Sequence, residues 1–380
     1  MANFLINGFS AKIGGGKVIF ENYLNMLLKH SCPDGDRFFV ITPDYSAYSS
    51  LSSRTITIVP VSRRYQAKLL LPFFYLWAVP RVVKEYNIDA VLNFGDIILP
   101  VKIPQVYFFD WSYAIYPESP VWQRMDLRDY IQRRVKFYLI KLLMGYPATV
   151  LAQTATMKRR LMSLYGAENV VVISTPVTSL THENSAPKDF TLPKGKRRLL
   201  CLSNYAPHKN LEVLLPLARL LRGKNEAYTI VTTIDPTQSE RAKQLLDSVA
   251  NEGLQDFFVN LGHVAARDVP SLFEQCDALL LPTLLESYGL PFIEAMVNRK
   301  TILTSAFDFT YDVCGDAAYY FDPMDAHDMY RAIHEAFSDE EGRQAKIELG
   351  YDMAQKLNDW PTAFMQYQEC LRQVLKTSNG

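Results

Sequence analysis

The sequence predicts an α/β chain built as two successive doubly wound parallel sheets, each a Rossmann-like β/α/β domain, facing a central cleft. Three observations predict it. Short β-rich apolar runs alternate with segments of helical periodicity along almost the whole chain. The 380 residues exceed what one ordinary core takes up and suit two domains of roughly 150–200 residues each. A polar stretch with two prolines and a basic end, THENSAPKDFTLPKGKRR (residues 181–198), interrupts the alternation once, as an interdomain linker does.

Taken in order, strands are expected near Phe4–Ile6, Phe38–Ile41, Thr55–Val59, Ala90–Leu92, Val106–Phe109, Thr149–Ala152 and Val170–Ile173. The helices expected between them are Lys17–Lys29, Leu69–Glu85, Gln123–Met144 and Thr154–Leu164. After the linker the pattern restarts with strand Leu199–Leu202, helix Leu211–Leu221, strand Tyr228–Thr232 and helix Gln238–Asn251. Strands near Phe258–Leu261, Ala278–Leu281 and Thr301–Leu303 follow, with helices from Pro270, Leu290 and Ala326. In such sheets ligands bind beyond the carboxyl ends of the strands.

Composition narrows the class. Apolar residues make up 48% and charged residues 21%, the balance of a globular chain. Five dispersed cysteines (Cys32, Cys201, Cys276, Cys314, Cys370), never as CxxC, argue against a disulfide framework or a zinc cage and for a reducing compartment. MANFLINGFSAK lacks the layout of a signal peptide and no run of about 18 apolar residues occurs, so a cytoplasmic chain is expected. Lys+Arg and Asp+Glu are 40 each, which argues against bulk nucleic-acid binding.

The zero net charge is uneven. Residues 1–185 hold 20 basic and 13 acidic residues and residues 186–380 hold 20 and 27, so the halves carry +7 and −7. Arg63, Arg64 and Lys68 run into LLLPFFYLWAVPR, and Arg133, Arg134, Lys136 and Lys141 lie in RRVKFYLIKLLMGY. Two readings stand side by side: a core helix with solvated Lys and Arg on its outer face, or peripheral contact of the first domain with an anionic membrane surface.

The chemistry concentrates in LLLPTLLESYGLPFIEAM. An apolar strand runs into a loop with Glu286 and Gly289, and Pro291 sits where a helix begins. The amides of Ser287, Tyr288, Gly289 and Leu290 then point out of a helix N-terminus, a ready site for a phosphate oxygen. Glu286 just before the turn and Glu294, expected in the first helical turn with seven residues between them, flank that site, and each can accept hydrogen bonds from a vicinal diol. A diphosphate between two sugars fits. Lys209, between His208 and Asn210 after a strand, is a cation able to balance a leaving diphosphate. Gly14-Gly15-Gly16 before a helix can bare amides to an anion. Asp34-Gly-Asp36 has the spacing of a cation-binding pair but sits in a polar loop and reads as a turn, so no metal is expected. GFSAKIGGGK has the wrong spacing for an NAD fingerprint.

Glu286-Ser-Tyr-Gly-Leu-Pro-Phe-Ile-Glu294-Ala-Met resembles the signature of family 4 of the retaining glycosyltransferases, which have the GT-B fold. NLGHVAARDVPSLFEQCDALLLP, SNYAPHKNLEVLLPLARLL and the terminal DWPTAFMQYQECLRQVL resemble the family's landmarks in order, strongly over about residues 199–376. The resemblance implies an acceptor-side domain of residues 1–185 joined by the returning helix 359–380, and a donor domain of residues 186–358. It implies that Lys209 faces the donor diphosphate, that the backbone around His263 and Val264 meets the nucleobase, and that Gly14–Gly16 close over the phosphates. Asp110 would contact the donor sugar or the acceptor hydroxyl, making Asp110, Lys209 and Glu286 the catalytic set. Two positions depart from the family: Asn204 stands where an arginine is usual, and Phe109 where a histidine often precedes the aspartate.

The function implied is transfer of a hexose, with retention, from a nucleotide-diphosphate sugar to a glycan acceptor, lipid-linked at the inner membrane face, in cell-surface polysaccharide synthesis. The nucleotide sugar is a co-substrate, and no separate cofactor is implied. The alternatives are a non-catalytic sugar- or nucleotide-binding subunit of a transferase complex, which Phe109 and Asn204 favour, and a nucleotide-sugar epimerase.

Overall fold

The computed structural model describes residues 1–12, 14–30, 35–67, 69–176 and 188–378. Cys32, Asp34, Lys68 and the expected domain boundary between residues 185 and 186 lie outside the described residues. Two compact units form: Met1–Pro117 with Leu127–Thr178 and Asn358–Gly380, and Glu118–Asp126 with Ser179–Leu357.

In the first unit the chain runs β1 (Asn3–Asn7), α1 (Gly14–Lys29), β2 (Arg37–Ile41), α2 (Tyr45–Tyr48), β3 (Ile56–Ile58), α3 (Leu71–Phe73), α4 (Val79–Glu85), β4 (Ala90–Asn93), β5 (Gln105–Phe108), α5 (Leu127–Leu143), β6 (Thr149–Ala152), α6 (Ala155–Tyr165) and β7 (Val170–Val172). The strands pair in parallel in the order β3-β2-β1-β4-β5-β6-β7. Steps from β1 to β3 run one way and steps from β4 to β7 the other. Right-handed crossovers therefore put α1 on one face and α4, α5 and α6 on the opposite face. The packing agrees: Phe4, Ile6 and Phe38 bury against α1, while Leu5, Phe39 and Val91 bury against Val79 and Val82 of α4.

The second unit follows as β8 (Arg197–Cys201), α7 (Leu214–Gly223), β9 (Tyr228–Thr232), α8 (Glu240–Asn251), β10 (Phe258–Asn260), α9 (Val269–Glu274), β11 (Ala278–Leu281), α10 (Leu290–Val297), β12 (Thr301–Ser305), α11 (Asp308–Cys314), β13 (Ala318–Phe321), α12 (Ala326–Ser338) and α13 (Glu340–Gln355). Its parallel order is β10-β9-β8-β11-β12-β13. The chain then returns to the first unit as α14 (Trp360–Ser378), whose Ala363, Tyr367 and Leu371 bury beside Tyr23 and Phe94.

Two expected helices need correction. The segment Leu69–Glu85 is broken into α3, a π-helical turn over Phe74–Ala78, and α4. Pro80 has no N–H and its ring crowds the carbonyl four residues back, so the ladder widens, with the Val79 amide bonding the Phe74 carbonyl. The helix expected from Gln123 starts instead at Leu127. Ser119 caps a separate short turn, Pro120–Arg124, which packs with the second unit.

At the first sheet's switch between β1 and β4 a buried amide network replaces apolar packing. Asn93 Oδ1 accepts from Asn7 Nδ2 and from the Gly95 amide, both at 2.8 Å, while Asn93 Nδ2 donates to Gln105 Oε1 and the Ile97 carbonyl, both at 3.0 Å. All four hydrogen-bonding capacities of one amide are used. Asn93→Ala leaves several buried partners unmet. It should cost about 2–4 kcal/mol, read as a lower urea midpoint at unchanged slope; an unchanged midpoint would show the network to be energetically idle.

Candidate active site

The strands of the second sheet are all parallel, so the loops after β8, β9, β10 and β11 emerge at one edge, and β8 and β11 meet at the switch point. Lys209 comes from the first of these loops and Glu286 from the last. The β8 loop turns at Pro207–Lys209 and ends on Asn210 in the left-handed region (φ +56°), which asparagine tolerates. The buried Asn210 amide donates to the carbonyls of Pro282 at 3.0 Å and Pro323 at 2.7 Å, and its oxygen accepts from the Arg124 guanidinium. The Leu284 amide and the Thr283 hydroxyl both donate to the His208 carbonyl, at 2.7 and 3.1 Å.

These bonds stitch the two loops together and lay Lys209 Nζ 2.6 Å from Glu286 Oε1, with the side chains 18% and 9% exposed. Gly289 caps α10 with φ +79°; a Cβ there would stand 2.5 Å from the Phe292 ring and 3.7 Å from Glu286 Cγ. Only glycine fits so close an approach with that backbone. Ser287 and Leu290 are half-buried, and Tyr288 is buried, its hydroxyl without a hydrogen-bond partner. The turn is thus closely packed, with Glu286 immediately beside its Gly289 backbone.

Glu294 does not lie in the first turn of α10, which has no acidic residue; it is the helix's fifth residue. Gly289 rather than a side chain makes the cap, and with the helix starting at Leu290, as expected, its fifth residue falls beyond the first turn. Its carboxyl is mostly buried, and burial pushes its pKa up from 4.5 to about 7. Asn204 is exposed on the β8 loop and its amide oxygen accepts from Gln238 Nε2 at 3.1 Å. His263 and Val264 lie in the β10 loop; His263 is exposed and its field helps lower the Asp235 pKa, whose main cause is the Thr237 hydroxyl. Among the described residues no hydrogen bond or ion pair joins Asn204 or His263 to the Lys209–Glu286 pair.

The remaining expected residues form a separate cluster in the first unit. Gly14–Gly16 do not precede a helix but open α1, and Gly14 has φ +64°. A Cβ on Gly16 would lie 2.9 Å from Asp110 Oδ2, so Asp110 sits against the helix start. Burial first, then the Asp96 charge, raises the Asp110 pKa to about 7, with Lys136 opposing. Lys136 Nζ lies 3.1 Å from Asp96 Oδ2 and 4.2 Å from the Trp111 ring centroid. Phe109 is fully buried near Tyr107. Asp36 accepts from the Ala2 amide at 2.8 Å and lies 3.6 Å from the Arg372 guanidinium.

Sequence reasoning passed over Asn210, Arg124, Asp96 and Lys136. Asn210 had a signal: an asparagine directly after a turn lysine is a favoured left-handed residue. Arg124 had none, because it was read into the following helix.

Against known proteins, residues 183–353 match the family model for glycosyl transferases group 1. The serotype-specific mannosyltransferase WbdA of Escherichia coli is 29% identical over 167 residues, covering 43% of this chain and 19% of that protein; the match thus spans about a fifth of its length. The O-antigen chain mannosyltransferase RfbU of Salmonella typhimurium is 23% identical over 76% of this chain and 77% of its own length. Among solved structures, Anabaena Alr3699/HepE in complex with UDP-glucose superposes with a TM-score of 0.71 at 16% identity, over 98% of this chain and all of that one.

The raised Glu294 pKa has a stability consequence. The folded chain holds a proton that the unfolded chain has lost between about pH 4.5 and 7, so stability falls as pH rises through that window and levels off above it. Glu294→Gln should flatten this, reducing the loss between pH 5 and 8 by on the order of 2 kcal/mol in denaturant titrations. A variant as pH-dependent as the parent would show the carboxylate to ionise without cost.

With this geometry carried by the matched segment, and with two parallel sheets of 7 and 6 strands, residues 183–353 are similar to the glycosyl transferases group 1 and the chain has the GT-B fold.

Proposed function

We propose that this chain transfers a hexose, with retention, from a nucleotide-diphosphate sugar to a lipid-linked glycan acceptor in cell-surface polysaccharide synthesis, at the inner face of a membrane. The observation that carries the reading is the Lys209–Glu286 pair at 2.6 Å against the Gly289 turn. It offers a cation and a carboxylate beside the backbone of a helix-starting turn, which is what a sugar diphosphate requires. The names of the two mannosyltransferase relatives favour mannose as the hexose, and the UDP-glucose in the Anabaena structure favours a nucleotide donor.

In this mechanism a nucleotide sugar separates the resident ion pair. Lys209 turns to the diphosphate, the amides of Tyr288–Leu290 hold a phosphate oxygen, and Glu286 accepts from a hexose hydroxyl. Glu294 accepts from the ribose diol. The bond from the anomeric carbon to the phosphate oxygen breaks, and its electron pair leaves with the diphosphate. The acceptor oxygen bonds to the same face of the carbon and its proton passes to the departing phosphate oxygen, so no protein nucleophile is needed. The protein contributes positioning and charge stabilisation, with Lys209 in the place a metal ion would otherwise take. Asp110, beside the Gly16 backbone in the first unit, orients the acceptor hydroxyl.

A thermal-shift screen of UDP, GDP and dTDP tests the donor site. One of them at about 100 times its Kd should stabilise the chain by about 2.7 kcal/mol. Glu294→Ala should raise the donor KM roughly 10- to 100-fold, the loss of one charge-assisted hydrogen bond of about 1.5–3 kcal/mol. Turnover of radiolabelled donor should survive EDTA. No shift with any nucleotide would end the nucleotide-sugar reading; a shift without turnover would favour the non-catalytic binding subunit.

A further inference from the structure

Helix α5 is amphipathic the wrong way round for a surface helix. Of its 17 residues only Ile140 is buried, while Leu127, Ile131, Val135, Tyr138 and Leu142 are each between 51% and 76% exposed. Their spacing of four, four, three and four residues places them in one stripe along about 25 Å of helix. This overturns the first of the two readings of the basic helix: its outer face is apolar at the centre, and the charges sit beside it. Arg128 and Lys141 flank the stripe, both exposed and neither with an ion-pair partner among the described residues.

A second exposed apolar segment lies nearby in topology. Leu69, Phe73, Leu76 and Trp77 are 56–87% exposed around the π-helical turn before α4. The connections β3→β4 and β5→β6 cross the sheet in the same direction, so α4 and α5 belong to the same helical layer. The basic residues of this segment, Arg63, Arg64, Arg81 and Lys84, lie beside it in sequence, and the Arg81 guanidinium stands 5.7 Å from the Trp77 ring centroid.

We infer that this helical layer is a docking surface for an anionic lipid bilayer, with the α5 stripe and the Trp77 segment entering the headgroup boundary. Charge decides between occupants. A second copy of the chain docked through the same face would bring two positive flanks together, with Asp129 as the only acid on α5. Anionic headgroups instead neutralise those flanks while the apolar stripe leaves water. Trp77 and Tyr138 are the amphipathic rings that settle at a membrane interface. Among the described residues no helix is long and apolar enough to cross a membrane, so the fit is to lie on the surface. The inference rests on the lipid-linked acceptor reading for its biological use, but the binding itself is measured without turnover.

The test is flotation of the full chain with vesicles of phosphatidylcholine containing one-third phosphatidylglycerol, and with phosphatidylcholine alone. Binding is expected to the anionic vesicles, weakened by salt. The combined substitutions Ile131→Ser, Val135→Ser and Leu142→Ser should cut it by about 10-fold or more with an unchanged thermal midpoint, the positions being exposed. In a second variant, Leu76→Ser with Trp77→Ala should also reduce it. No binding to either vesicle would overturn the inference, as would equal binding by parent and variants. So would concentration-dependent dimerisation in sedimentation velocity that the same substitutions abolish. The nucleotide thermal shift, measured on the same variants, should persist; its absence in the parent alongside vesicle binding would sink the transferase reading and leave this one standing.

Discussion

The donor edge depends on one constraint: a lysine and a glutamate from loops 77 residues apart must be held in contact in a poorly hydrated place. Burying two charges is costly, and the attraction between them offsets this only when the geometry is fixed. Here it is fixed by other groups. The His208 carbonyl takes two donors from the β11 loop, and Asn210 ties the far side of its own loop to Pro282 and Pro323. The backbone is therefore set before either charge is placed. The two charges neutralise each other, and in the proposed reaction a ligand bearing both an anion and hydroxyls would exchange this one contact for two.

The alternation of apolar runs located most strands to within a residue, because a parallel strand buried on both faces is a short continuous apolar run bounded by turns. Thr149–Ala152, Tyr228–Thr232 and Ala278–Leu281 are such cases. What the alternation did not disclose is where tertiary packing overrides local pattern. Residues 118–126 continue into a helical pattern yet pack with the second unit, tied through Ser119 to the Leu284 carbonyl and through Arg124 to Asn210. Strand β13 and helices α11 and α13 were likewise not anticipated. In the site, residue types and spacing pointed to Lys209, Glu286 and Glu294, but not to the direct ion pair or to the depth of Glu294 in α10. The first depends on the hydrogen bonds that join the two loops and the second on the residue count from the helix start at Leu290.

The two departures from the family pattern have different physical weights. Asn204 is occupied by Gln238, so the loop gains order where a cation is usual but contributes no charge; Lys209 is left as the cation of the pair. Phe109 is a different matter. It is fully buried, so a polar ring there would need a buried partner, and the aromatic side chain instead packs near Tyr107. The segment's one ionisable group at that point is Asp110, and its environment is built from elsewhere: Asp96 from the loop after β4, and Lys136 from α5.

That makes α5 a helix with two unlike faces, and the period explains how one sequence serves both. Lys136 and Ile140 lie on the side opposite the Leu127–Ile131–Val135–Tyr138–Leu142 stripe at 3.6 residues per turn. The inward side carries the ammonium that meets Asp96 and the Trp111 ring; the outward side carries the exposed apolar stripe. With only Ile140 of the helix buried, apolar burial anchors it little, and its outer face does not stabilise the isolated fold. Five large apolar side chains that stay largely in water gain little from folding, and together they make an exposed apolar stripe. The bilayer docking proposed above would take the stripe out of water and set the positive flanks against anionic headgroups.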